Sequence, residues 1–125
     1  MNPDRLTVKA AEALNDALAL ARRAGNPLVH DTHLLLALLA QKEGIVVPIL
    51  QKLGVQVAAL RAALERESAR YAKQSGAQPS LSRELQQVVD AAEGEAKSLD
   101  DEYVSTEHLL IALAEVAGTE TKPLL

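Results

Sequence analysis

Along the first stretch of the chain, small and apolar residues return every three or four positions, at Ala10, Leu14, Ala17, Ala21 and Ala24. That spacing predicts an amphipathic helix over 7–24 with one stripe turned to a core. Thr7 is placed to cap its first turn, and Gly25-Asn26-Pro27 to stop it. From Leu34 to Leu39 every position is apolar. A helix starting near Asp31 would therefore have no wet face and must be surrounded by protein. The Asp31 carboxylate is expected to cap that helix and to meet the positive end of its dipole. After Gly44, a short helix is predicted over 47–53, with Pro48 in its first turn and Gly54 at its end. A fourth, over 55–73, presents Val57, Leu60, Leu64 and Tyr71 inward, while Glu65, Arg66, Glu67 and Arg70 stay wet.

The pattern then starts again. The register that carries His33 onto His108 also carries Leu6 onto Leu81, Thr7 onto Ser82, Val29 onto Val104 and Pro48 onto Pro123, without a gap. A single register held over about 45 residues marks a duplicated structural unit. Leu85, Val89, Ala92, Ala96 and Leu99 repeat the first apolar stripe, mostly with different residues, and a second central helix is predicted from about Thr106. Residues 1–73 form repeat one, 74–80 a linker rich in Gln, Ser and Gly, and 81–125 repeat two. The stretch after Gly118 matches only the start of a third helix, so repeat two is expected to be truncated and the stub to be the least stable part.

Composition narrows the possibilities. The core must be built from Leu, Ala and Val, because the chain has no Phe or Trp and two Tyr, and 48% of its residues are hydrophobic. Without cysteine there are no disulfides and no thiolate metal sites. A net charge of −4 and the scarcity of aromatic residues argue against nucleic acid as a partner. The apolar run Leu34 to Ala40 is too short to span a bilayer, and the opening residues do not form a signal peptide.

Reactive constellations are few in the sequence. The chain has no phosphate loop, no Gly-x-Ser-x-Gly elbow and no His-Glu-x-x-His. His30 and His33 lie three apart but lack the further ligands a zinc site needs, and are expected to be loop and packing residues. His33 and His108 are expected to hydrogen-bond a loop carbonyl in each repeat. Asp101 and Glu107 could make an acid pair, but capping for Glu107 and exposure for Asp101 are the simpler expectation.

Three segments identify a family: Arg5-Leu6-Thr7 ahead of a helix, His33 to Leu39, and Tyr103 to Leu110. On these the chain resembles the Clp N-terminal repeat family over essentially its whole length, with an opening nearest the ClpB-type branch. The resemblance implies an all-α fold of two tandem four-helix repeats about a pseudo-twofold axis, the second truncated at its C-terminus. It implies a non-catalytic domain, monomeric and without a cofactor of its own. Such a domain sits ahead of two ATP-binding AAA+ modules in a cytoplasmic homohexamer that works with a DnaK-type chaperone system. Its partners would be unfolded or aggregated polypeptides, held weakly, with neither nucleic acid nor membrane involved. The family's polar trio falls on Thr7, Asp101 and Glu107, and an apolar groove would draw on Ala10, Leu14, Leu85, Val89 and Leu110. The missing last helix puts one wall of that groove in question. The alternatives are a stand-alone adaptor built on the same repeat, or the adaptor-docking domain of a ClpA-type or ClpC-type unfoldase.

Overall fold

The computed structural model describes residues 3–76, 78–116 and 118–125. Six α-helices run in the order α1 (Val8–Ala24), α2 (Asp31–Ala40), α3 (Val46–Lys52), α4 (Val57–Ser68), α5 (Arg83–Ser98) and α6 (Thr106–Glu115). Single 3₁₀ turns at Pro3–Arg5 and Lys122–Leu124 flank them. The Thr7 hydroxyl accepts from the Ala10 amide at 3.2 Å, and the Ser82 hydroxyl does the same for Leu85 at 3.0 Å. Gly25 ends α1 in the left-handed region at φ 74°, a conformation that costs a residue with a Cβ.

Two short parallel ladders join the halves. Strand β1 (Leu28–Val29) pairs with β2 (Ser80–Leu81), placing Val29 opposite Leu81, while an isolated bridge joins Leu6 to Val104. Under the repeat register these are one interaction with the two copies exchanged. The Ser82 amide donates to the Val29 carbonyl at 2.9 Å, and the Thr7 amide to that of Val104 at 3.0 Å. Each repeat therefore lends the other a strand, and the two halves are reciprocal.

The core runs through both repeats. On α2, Leu34, Leu35, Leu38 and Leu39 are buried, whereas Leu36 is half-buried and Ala40 is exposed. Ala10, Ala13, Ala17 and Ala21 of α1 are fully buried beneath α2; small side chains let two helices approach closely. In repeat two, Leu85, Val88, Val89, Ala92 and Ala96 fill the same interface, with Leu85 and Val88 larger than the Ala10 and Ala13 they replace.

Several expectations change. Ala24 and Leu99 close the predicted stripes on solvent, Leu99 being 55% exposed, because each stands at a helix end past the reach of the central helix. The fourth helix stops at Ser68 rather than 73. Tyr71 lies beyond it, its ring stacked on His30 at 3.9 Å and its hydroxyl 2.6 Å from that of Thr32. These contacts draw the chain off the helix axis. Asp31, in the first turn of α2, spends its carboxylate elsewhere: Oδ2 accepts from the buried Thr121 amide at 2.9 Å. The Thr121 hydroxyl donates to the Leu113 carbonyl at 2.9 Å. The segment after Gly118 is thus fastened to both central helices, although Leu124 is 39% exposed.

Candidate functional site

The two repeated histidines open the site. In repeat one, His33 is 2% exposed, and its Nδ1 accepts the His30 amide at 2.8 Å. The ring proton therefore sits on Nε2, which donates to Asn26 Oδ1 at 3.1 Å. Asn26 is itself buried and donates to the Ala72 carbonyl at 3.0 Å. Burial, reinforced by neighbouring His30, pushes the His33 imidazole down to about 4. The partners differ from the expected loop carbonyl: one is a backbone amide, the other a side-chain amide.

In repeat two, His108 Nδ1 accepts the Ser105 amide at 2.8 Å, and Nε2 donates to Asp101 Oδ2 at 2.8 Å. Asp101 occupies the position that Asn26 holds in repeat one, so a carboxylate takes the place of an amide, and its side chain is 50% exposed. It pairs with His108 instead of forming an acid pair with Glu107. An open cavity of about 400 Å³ lies here, lined by Leu99, Asp101, Glu102, Tyr103, Glu107 and Ile111 among others. Glu107 is exposed in the first turn of α6, where a carboxylate meets the helix dipole favourably. Of the predicted polar trio, Asp101 and Glu107 share this cavity. Thr7 lies on the adjoining Leu6–Val104 bridge, with its hydroxyl committed to capping α1, and does not line the cavity.

The apolar candidates sit deeper. Ala10 and Leu85 are fully buried, Val89 is 3% and Leu110 8% exposed, and Leu14 is partly buried against the core. Of the five, Leu110 reaches a cavity. This second cavity, about 330 Å³, lies between α3 and α6 and is lined by Ile49, Leu53, Val55, Leu110, Ile111 and Leu125 among others. Leu53 at its rim is 74% exposed. Ile49, Leu53, Val55 and Ile111 were outside the predicted groove. The signal for them is modest: Ile49 of α3 and Leu53, just past its end, lie four apart on one side of an element too short to bury both. Ile111 lines both cavities, so the acidic and apolar hollows adjoin across α6.

Among the described residues no group of His, Asp or Glu has the arrangement of a metal site. No single helix there is long and apolar enough to cross a membrane.

The model of the Clp repeat N-terminal domain matches residues 5–125. The chain belongs to that family. Its similarity to the chaperone protein ClpB of Mycobacterium tuberculosis is 46% identity over 110 residues, 86% of this chain and 13% of that protein. The chain thus spans about an eighth of the length of the curated relatives it matches, and aligns with ClpB N-terminal regions. Among solved structures, the N-terminal domain of the ClpV1 ATPase from E. coli superposes with a TM-score of 0.86 at 25% identity, over 98% of this chain and 78% of that one. A ClpV N-domain in complex with a VipB peptide superposes at 0.76 over 98% and 83%, and its 19% identity speaks for the fold alone. The family's helical repeat architecture is the fold described above.

Proposed function

We propose that this Clp repeat domain is the client-capturing N-terminal domain of a ClpB-type disaggregase. It binds unfolded or aggregated polypeptide weakly, carries out no chemistry of its own, and passes its client to downstream ATP-binding modules. The single observation that carries the reading is the pair of adjoining cavities on either side of Ile111, one apolar and one acidic. An extended peptide laid across α6 would set side chains on Ile49, Leu53 and Val55 while Asp101 and Glu107 met its polar groups, with Thr7 alongside. The ClpV N-domain that holds a VipB peptide shares the fold and lends support.

A small apolar contact binds weakly. Burying roughly 300 Å² of apolar surface contributes about 7 kcal/mol at about 25 cal/mol per Å². Association costs of about 4 kcal/mol and upward leave a small surplus. A domain that must release its client benefits from that margin.

The test is an NMR titration with a permanently unfolded polypeptide, on the wild-type chain and on Leu53→Ser. Leu53 is mostly exposed, so the change spares the core. Shifts gathered at Ile49, Leu53, Ile111, Asp101 and Glu107, with affinity reduced roughly fivefold in the variant, about 1 kcal/mol, are expected. Shifts away from both cavities, or none at all, would remove the client groove and favour adaptor docking.

A further inference from the structure

Four consecutive residues at the start of α2 hold two segments that lie far apart in the sequence. The His30 ring stacks on that of Tyr71 at 3.9 Å, and the Thr32 hydroxyl lies 2.6 Å from the Tyr71 hydroxyl. His33 holds Asn26, which donates to the Ala72 carbonyl at 3.0 Å. These contacts fix the chain just past α4, where the Gln74 amide donates to the Gly25 carbonyl at 2.8 Å. Asp31, in the same turn, holds the second segment through the Thr121 amide. Asp31, Thr32 and Thr121 are all buried, so a partner that leaves is not replaced by water until the turn opens. The two segments also meet each other. Glu67 in the last turn of α4 and Glu120 beside Thr121 line one open cavity with Arg66 and Arg70, and Arg70 reaches Glu67 at 3.6 Å.

Starting a helix does not require this arrangement. The matching turn of α6 carries Ser105, Thr106 and Glu107 in place of His30, Asp31 and Thr32, and α6 forms with them. Both turns keep the histidine that returns to the opening amide. The groups that hold Tyr71 and Thr121 are therefore additions to repeat one and not conditions of its helix.

We infer that the first turn of α2 is a clasp coupling the segment that leaves α4 to the segment after Gly118. The two open together, below the free energy of global unfolding, so displacing one frees the other. Opening gives the Asp31 carboxylate and the Thr32 hydroxyl to solvent and releases Tyr71 from the His30 ring. A partner or a load acting on the segment after Gly118 is thereby felt at residues 71–74, where the chain passes from one repeat to the next. The effect is reciprocal, as linkage requires. The inference does not depend on the client-capture reading.

The test is amide hydrogen exchange on the full chain at increasing, subdenaturing urea. In the unmodified protein the Gln74 and Thr121 amides are expected to share one opening, with equal protection and equal urea slope, while Leu38 and Leu113 exchange through global unfolding. Asp31→Ala removes the acceptor for Thr121 and leaves Thr32 and His30 in place to hold Tyr71. It should speed exchange at Gln74 as well as at Thr121, each roughly tenfold, and Asp31→Asn, which keeps an acceptor oxygen, should restore both. Tyr71→Phe should in turn speed Thr121. Different urea slopes for the two amides, or a Gln74 rate unchanged in Asp31→Ala, overturns the coupling. Equal acceleration at Leu38 and Leu113 also overturns it, because Asp31 would then support the whole fold and not a clasp. If Asp31→Ala does not fold, the urea slopes of the unmodified protein decide.

Discussion

His33 and His108 do the same mechanical work. Each ring turns back to accept the amide that opens its central helix. Each is held there by the side chain at one shared repeat position, the amide of Asn26 in the first copy and the carboxylate of Asp101 in the second. For His33 the cost appears in acid. Its folded-state imidazole is lowered to about 4, and His30 is lowered too, both chiefly by burial. Below the ordinary value near 6.5 the unfolded chain takes up protons that the folded chain refuses, so stability falls as pH drops from about 6.5 toward 4 and levels off below. Urea midpoints measured across that window should decline, and the His33 ring protons should titrate near the lower end. A His33 titration close to 6.5 would contradict the buried geometry. The histidines were legible as structural residues because the same type recurs at one offset. Their partners were not, since Asn26 and Asp101 share a register position but differ in type, and matching identical residues passes over them.

Among the elements, the α1–α2 contact is the most sharply shaped. Four alanines on α1 have no exposed surface, so Ala17→Leu forces methylenes into a filled interface and should destabilise by about 1–3 kcal/mol. Ala24→Leu, on the same predicted stripe but exposed, should change stability by less than about 0.5 kcal/mol. Denaturant midpoints of the two variants separate them. The periodicity located both helices and their inner faces, but it cannot tell where a stripe outruns its partner helix, which is why Ala24 and Leu99 were grouped with the core. The final turn obeys a different logic. Its anchor is the Asp31 carboxylate on the Thr121 amide, a contact between distant parts of the chain that no local pattern announces. Removing it with Asp31→Ala leaves a buried donor without its acceptor and should cost about 1–3 kcal/mol. Hydrogen exchange should then speed up at Thr121 while Leu34 to Leu39 remain protected.

For the molecule as a whole, the reciprocal ladders imply one cooperative unit. Val29 pairs with Leu81 and Val104 with Leu6, so neither repeat keeps its strand partner if the other unfolds. Tyr71 and Tyr103, the chain's two aromatic reporters, fall one in each repeat. Single-tyrosine variants, Tyr71→Phe and Tyr103→Phe, followed by intrinsic fluorescence, should each show the same midpoint by that probe as by circular dichroism. Separate transitions would mean that the repeats unfold independently. Duplication was readable from the offset and helix type from the periodicity. The inter-repeat cavity was not, because Ile49 and Leu53 belong to one copy and Ile111 to the other, and only the packing of α3 against α6 brings them together.

The reciprocity carries a further consequence. Contacts that treat the two halves as interchangeable do not specify which molecule supplies each half. If the segment between α4 and β2 straightens, repeat one of one chain can close on repeat two of another through the same two ladders. Such an exchanged dimer would keep every native bond except those within the connecting segment. Its population would be governed by concentration and by the stiffness of that segment.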